Sequence, residues 1–119
     1  MSESESFGSI LREYRRKANV SQRDLASKVG LDFSYISKLE NDRLPPPSAD
    51  TIIEICGVLE IDPSELLALA GKLPTQVQKN IGSNETAQQF LWQAQQMSLT
   101  DDEWQHMINS LRKLRDDNA

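Results

Sequence analysis

Residues that could act as catalysts or metal ligands stand alone in this sequence. Cys56 is the only cysteine and His106 the only histidine, so neither has the partner that a redox pair or a zinc site requires. The acidic run at 101–103 falls in the first turn of a predicted helix, where carboxylates stabilise the helix dipole. We find no Ser/His/Asp or Cys/His set and no phosphate-binding loop. We therefore predict that the protein is not an enzyme, that it uses no metal ion or cofactor, that Cys56 is buried, and that His106 lies on the surface.

The distribution of charge points to a different chemistry, the binding of an anionic polymer. The chain as a whole is acidic, with a formal net charge of −5. Residues 7–43, however, contain eight lysines and arginines against five aspartates and glutamates, which gives this segment a net charge of +3. A local excess of positive charge is the electrostatic signature of nucleic-acid binding. The overall acidity argues weakly against it, so the positions of these charges matter more than their sum.

The elements that must position these charges are helices, because apolar residues recur with the helical period and no segment alternates like a strand. Ser21 and Ser48 are suitable N-caps, and Gly30 and Gly71 are suitable helix ends. The predicted helices of the N-terminal part cover about residues 6–18, 22–29, 33–40, 49–59 and 63–70. We thus predict an all-α fold, with one domain at 1–72 and a helical C-terminal region at 75–119.

Helices 2 and 3 are too short to be stable alone, so their apolar residues must be buried against the other helices. We expect Asp32 to cap helix 3. The residues predicted to face inward are Leu25, Ala26, Val29, Leu31, Ile36 and Leu39. The residues left on the outer face of helix 3 are Phe33, Ser34, Ser37 and Lys38. A merely solvated face would need only charged residues, so this composition indicates a surface that binds something.

This arrangement resembles the helix-turn-helix of Cro/cI/XRE-type transcriptional regulators. The stretch "SQRDLASKVGLDFSYISKLEND" has their Ser-Gln start, apolar-Ala pair, glycine at the turn and closing apolar-Glu-Asn. The similarity covers about residues 7–71 and implies a lambda-repressor-like domain of five helices. One departure is Asp42, where the family often has glycine. Residues 75–119 loosely resemble the short helical extensions of some of these regulators.

The resemblance also implies roles for individual residues. In such domains helix 3 enters the major groove with its N-terminal part toward the base edges. Carried over by position, the base-reading residues are Phe33, Ser34, Ser37 and Lys38. The residues placed to contact phosphate are Gln22, Tyr35, Asn41 and Arg43. The expected function is that of a sequence-specific DNA-binding regulator, a repressor that acts as a dimer.

An ion pair between Arg15 and Glu40 is expected inside this domain. Arg15 lies one turn beyond Leu11, and Glu40 lies one turn beyond Ile36, so both charged side chains can point inward. The family resemblance supports the pair. It would fix helix 1 against helix 3 more than it would add stability.

The C-terminal region is predicted to be the dimerisation unit. Its helices carry more apolar surface than a free tail should expose. The residues expected in the dimer interface are Phe90, Leu91, Ala94, Trp104, Met107, Ile108, Leu111 and Leu114. Two alternatives remain open: these helices could fold back on their own N-terminal domain, or the tryptophan stripes could line a ligand site.

The expected partners are double-stranded DNA and a second copy of the chain. An antitoxin, a restriction-system controller and an adaptor that binds only proteins remain open alternatives of the same fold. Induction would involve a small molecule or a separate protease, which would cut most easily at "NIGSNE" (80–85). No apolar run approaches the ~20 residues that span a bilayer. The start of the sequence does not look like a secretory signal, so we expect a cytoplasmic protein with no membrane partner.

Overall fold

The structure, a computed structural model, describes residues 5–116. Residues 1–4 and 117–119, the outer ends of the two predicted domains, lie outside the described residues. Within the described range the chain forms eight α-helices and no β-strand. Their bounds are α1 Phe7–Lys17, α2 Gln22–Val29, α3 Phe33–Glu40, α4 Ala49–Leu59, α5 Ser64–Ala70, α6 Thr75–Gly82, α7 Glu85–Met97 and α8 Asp101–Asp116. This confirms the predicted all-α fold of five helices followed by further C-terminal helices.

The chain divides into two compact units, of which the first ends at Gln78 and the second begins at Lys79. The division falls within α6, slightly later than the boundary at 72–75 expected from the sequence. The start of α6 belongs to the first unit because Thr75 is bonded to α4. Its backbone N–H and its hydroxyl both donate to the carboxylate of Asp50, over 3.1 and 2.6 Å.

The first unit has one apolar core, to which α1 to α5 all contribute. The buried residues of this core are Phe7, Leu11, Leu25, Ala26, Ile36, Leu39, Ile52, Ile55, Cys56, Leu59 and Leu66. Burying a large aliphatic side chain is worth about 1.5–3 kcal/mol. This is why α2 and α3, each of only eight residues, are stable here although neither would be stable alone.

The turn between α2 and α3 sets the angle at which α3 leaves the core. The hydroxyl of Ser21 accepts the N–H of Asp24 at 3.0 Å and so caps α2. Gly30 ends α2 with a φ of 70°, in the left-handed region that glycine enters freely. Asp32 occupies the N-cap position of α3, but its side chain makes no capping hydrogen bond. The expected side-chain cap at Asp32 is therefore wrong, and α3 is held by its buried inner face instead.

Asp42 joins the end of α3 to the start of α1. It adopts a φ of 57°, which its short polar side chain tolerates. Its carboxylate accepts the N–H of Gly8 at 3.0 Å and the hydroxyl of Ser6 at 2.7 Å. A Cβ on Gly8 would lie only 2.4 Å from the carbonyl oxygen of Leu39. The first turn of α1 thus packs directly on the last turn of α3, and only glycine fits there.

The second unit contains α7 and α8, and it has almost no interior. Thr100 and Glu103 form a capping box at the start of α8: each backbone N–H donates to the other's side chain, over 2.9 and 3.2 Å. Among the described residues of this unit, only Ala94 is buried. None of the helices in residues 5–116 is long and apolar enough to cross a membrane.

Candidate nucleic-acid interface

The outer face of α3 presents the four side chains expected to read bases. Phe33 is 39% exposed, Ser34 and Lys38 are exposed, and Ser37 is half-buried. Within the described part of the chain, the hydroxyls of both serines and the ammonium of Lys38 have no hydrogen-bonding partner. The opposite face of α3 is buried in the core. The helix therefore exposes polar groups that make no hydrogen bond within the described residues, while its opposite face is packed in the core.

A buried polar cluster holds α3 against α1 and α2. Arg15 donates twice to Glu40, with 2.5 Å between Nε and Oε2 and 2.9 Å between Nη2 and Oε1. Gln22 donates to the same carboxylate at 2.9 Å, and a third arginine nitrogen donates to the carbonyl of Val20 at 2.9 Å. The side chain of Glu40 is completely buried and that of Arg15 is 10% exposed. The structure thus joins Arg15 and Glu40 in a bidentate ion pair, and Gln22 is a further hydrogen-bonding partner of Glu40.

The pKa of Glu40 reflects this cluster. Burial by itself would raise the pKa of the carboxyl group, because it disfavours the charged form. Hydrogen bonds from Arg15 and Gln22, with the charges of Arg15 and Arg12, outweigh burial and hold the pKa below its ordinary value. Glu40 is therefore ionised at neutral pH, and the cluster is a charged one.

Arg12 is a contact residue that the sequence analysis missed. Its Nη2 donates to the side-chain oxygen of Asn41 at 2.6 Å, and its Nε lies 3.5 Å from Glu40. Asn41 in turn donates from its amide nitrogen to the carbonyl of Ser37 at 2.9 Å. The available signal was spacing, since Arg12 lies three residues before Arg15 and so on the same side of α1. Together these bonds fix the residue that follows α3.

The side chains of the four residues expected to contact phosphate differ in exposure and in the hydrogen bonds that they already make. The side chain of Arg43 is exposed and has no partner within residues 5–116. Tyr35 is half-buried and packs against the core. Gln22 and Asn41 each donate one hydrogen bond inside the protein. An amide nitrogen carries two hydrogens, so both side chains retain one donor for a ligand.

A second missed residue, Arg23, lies beside the start of α3. The central carbon of its guanidinium group is 4.3 Å from the centroid of the Phe33 ring, a cation–π contact. Both residues line a shallow depression of about 470 Å³. Sequence reasoning treated Phe33 as a single exposed ring, and the ten-residue separation gave no signal that an arginine covers it.

The exposed apolar surface of the second unit forms a groove of about 570 Å³. Its apolar lining consists of Phe90, Trp104, Met107, Ile108, Leu111 and Leu114. Leu91 and Ala94, which is 7% exposed, line an adjoining depression that shares Trp104 with the groove. Six of the eight expected dimerisation residues thus line the groove itself, and their role in dimerisation stays a prediction.

The residues considered for catalysis or metal binding are not gathered into a site. Burial, with the charge of Asp62 as a smaller cause, raises the pKa of Cys56 to about 11, so the thiol is protonated at neutral pH. His106 is exposed on α8. Within residues 5–116 no group of three or more His, Cys, Asp or Glu side chains could hold a metal ion.

Comparison with known proteins shows that the first unit is similar to helix-turn-helix transcriptional regulators. A helix-turn-helix family model matches residues 11–66. RghRB of Bacillus subtilis, an uncharacterized HTH-type transcriptional regulator, is 36% identical over 67 residues, which are 56% of this chain and 48% of that protein. A regulator of Archaeoglobus fulgidus described in the same words is 41% identical over 59 residues, or 50% of this chain and 26% of that protein. The chain thus spans about half the length, or less, of these relatives.

Two further similarities extend into the second unit. The HTH-type transcriptional regulator SlrR of Bacillus subtilis is 29% identical over 113 residues, covering 95% of this chain and 72% of that protein. The solved SinR protein/SinI protein complex contains a chain with a TM-score of 0.50 and 18% identity, covering 92% of this chain and 98% of that one. At this identity the structural similarity shows the fold alone.

The family match begins in α1 and ends in α5, so it includes the polar cluster and the outer face of α3. The helix-turn-helix transcription-regulator family and fold are DNA-binding and non-enzymatic, which agrees with the prediction that this chain is not an enzyme. The match to the helix-turn-helix family model, together with relatives named as HTH-type transcriptional regulators, supports the Cro/cI/XRE-type resemblance of the first unit.

Proposed function

We propose that this protein is a repressor that binds operator DNA as a dimer, with α3 of each protomer in the major groove. The observation that carries the proposal is the division of α3 into two faces. One face is buried and fixed by the Arg15–Glu40 cluster. The other exposes Ser34 and Lys38 without partners in the described part of the chain. A rigid helix with free donors is what readout of base edges requires.

The exposed side chains suit readout of the major groove. Lys38 can donate to O6 and N7 of guanine, and the hydroxyls of Ser34 and Ser37 can pair with several base edges. Phe33 supplies apolar contact area at the first turn of α3. These contacts would give the complex its sequence preference, since contacts to phosphate carry none directly.

Contacts to phosphate would fix the register of α3 in the groove. Arg43 offers a positive charge beyond the end of α3. Tyr35, which lines a depression with the turn residues Gly30 and Asp32, offers its hydroxyl. On the other side, the N-terminus of α2 offers backbone N–H groups and the remaining amide hydrogen of Gln22. Asn41 retains one amide hydrogen in the same way. Binding through such contacts weakens as salt is added, because each phosphate that is neutralised releases counterions.

The groove of the second unit is proposed to take a second copy of the chain. Its six apolar residues are 38–65% exposed, which is more contiguous apolar surface than a monomer normally leaves in water. A two-fold pairing would bury the same groove on both chains. A dimer also supplies the two copies of α3 that a full operator requires, at half-sites about 34 Å apart.

Selection of bound sites from a random duplex pool tests the DNA-binding proposal. We expect two related half-sites, about one helical turn apart. Lys38→Ala should relax the preference at one position and weaken binding by about 1–3 kcal/mol. Arg43→Ala should weaken all sequences about equally and lower the salt slope by about one. If the wild-type chain selects no sequence and is not retained on random DNA at low salt, it is an adaptor and not a repressor.

Sedimentation at micromolar concentration tests the dimer. Met107→Glu places a charge in the groove and should give monomers. Met97→Glu is the matched control, since Met97 is exposed on α7 but does not line the groove. A wild-type chain that sediments as a monomer, or a Met107→Glu chain that dimerises as tightly as the control, would contradict this assignment.

A further inference from the structure

We propose that Arg23, positioned by the ring of Phe33, reads a guanine beside the bases contacted by α3. The inference rests on the proposed DNA-binding function and adds to it a base-reading residue from α2, outside the reading helix itself. Phe33 then acts mainly as a positioning residue: it presents the guanidinium group of Arg23 to the groove.

The first support is the place of the guanidinium group. Its central carbon lies 4.3 Å from the centroid of the Phe33 ring. Phe33 is the first residue of α3, and the N-terminal residues of this helix are the ones that reach base edges in helix-turn-helix complexes. The charge of Arg23 therefore sits at the start of the reading surface, although its backbone belongs to α2.

The second support is that no hydrogen bond or ion pair engages the Arg23 side chain among the described residues. Arg15 is committed to Glu40 and Val20, and Arg12 is committed to Asn41. The side chain of Arg23 is exposed and makes no hydrogen bond or ion pair within residues 5–116. Its contact with the ring is the one interaction that orders it, so its donors remain available.

The third support is the chemistry of a guanidinium group held against a ring. Contact with an aromatic ring uses the π-face and leaves the N–H groups, which lie in the guanidinium plane, directed outward. Two of them match O6 and N7 of guanine, the commonest specific contact in the major groove. A lysine at the same position would supply a point charge without this fork. The geometry thus favours base readout, which depends on a fixed direction, over a contact with phosphate, which depends mainly on charge.

The experiment is site selection from a random duplex pool with the full-length chain and three variants. We expect the wild type to select a guanine at one position of each half-site. Arg23→Lys should lower the preference for that guanine about 5- to 150-fold, the equivalent of one bidentate pair. Phe33→Leu removes the aromatic face but keeps an apolar side chain, and it should lower the same preference about 2- to 5-fold.

Arg16→Lys is the matched control, because Arg16 lines the same depression as Arg23 and has no aromatic contact. It should leave the base preferences unchanged. The inference is overturned if Arg23→Lys weakens all sequences equally, which would make Arg23 a phosphate ligand. It is also overturned if Arg16→Lys removes the same guanine preference. A wild type that selects no sequence would instead overturn the proposed function, so the two failures can be told apart.

Discussion

The two units of this chain use apolar residues in opposite ways. In the first unit, residues such as Leu11 and Ile36 are completely buried in a shared core. In the second, Leu111 and Leu114 are 65% and 60% exposed although they lie at helical spacing on one stripe. An amphipathic stripe therefore predicts that a surface needs covering, but not which surface covers it. The first unit buries its apolar stripes in its own core, whereas the second leaves them exposed.

The largest effect on the stability of the first unit is expected from removing one partner of its buried ion pair. Glu40→Ala leaves the buried guanidinium group of Arg15 without its carboxylate, and we expect a loss of about 3–5 kcal/mol in the free energy of unfolding. Arg15→Ala should cost less, because Arg12 and Gln22 still contact the carboxylate of Glu40. Denaturant unfolding measures both losses. Lys17→Ala is the control, because the pair of Lys17 with Glu13 is exposed and such pairs contribute about 0–1 kcal/mol. If the losses of the two single variants simply add in the double variant, the residues are not coupled.

A matched pair of leucines compares the two units directly. Leu11→Ala empties a completely buried site and should lower the free energy of unfolding by about 2–5 kcal/mol. Leu111→Ala removes a side chain that is 65% exposed, so it should leave the folding of a dilute monomer almost unchanged and weaken the dimer. Thermal unfolding at low concentration and sedimentation at high concentration separate these effects. A large loss in the dilute Leu111→Ala chain would show that the groove is covered from within the same chain.

Two glycines test the contact between α1 and α3. Gly8→Ala would place a Cβ 2.4 Å from a backbone oxygen, which forces the helices apart and should cost about 1–3 kcal/mol. Gly57→Ala, in α4, meets no atom within 4 Å and should stabilise the chain by about 0.5–1 kcal/mol. Equal effects from the two substitutions would show that the first turn of α1 is not packed as described. Heat-induced unfolding followed by circular dichroism is sufficient.

The smallest expected effect is the response of Glu40 to acid, because burial partly offsets the interactions that lower its pKa. A carboxyl with a lowered pKa in the folded state stabilises the protein fully above its unfolded-state pKa of about 4.3. This stabilisation is lost as the pH falls through the lower folded-state pKa. The stability difference between wild type and Glu40→Gln should therefore shrink below about pH 4. A difference that stays constant from pH 6 to 3 would contradict the lowered pKa.

Local signals in the sequence predicted much of the first unit. Ser21 and Gly30 mark the ends of α2 because capping and left-handed backbone depend on neighbouring residues. The apolar stripe of α3 indicated which face is buried, and so which side chains are left on its outer face. The same reasoning failed at Asp32, where a suitable residue occupies the cap position without making the bond.

Apart from the Arg15–Glu40 pair, which the family resemblance supported, the contacts between residues distant in the sequence were not predicted. Asp50 holds Thr75 from 25 residues away, which moves the boundary between the units into α6. Arg12 reaches Asn41 across 29 residues, and the contact of Arg23 with Phe33 depends on how tightly the turn closes. Each of these contacts results from tertiary packing, which local signals in the sequence do not reveal. For the candidate site, the sequence therefore indicated the exposed face of α3 but not the contacts of Arg12 and Arg23 at its two ends.

Asp42 has a consequence for how this sequence can diverge. Its carboxylate bonds the N–H of Gly8, and a Cβ at position 8 would lie 2.6 Å from that carboxylate oxygen. A side chain at position 8 would therefore have to displace this carboxylate. The backbone oxygens of Leu39 and Glu40 also crowd position 8, whatever residue follows Asn41. Position 8 thus cannot accept a side chain without a shift of the backbone, even in a chain that carries glycine at 42.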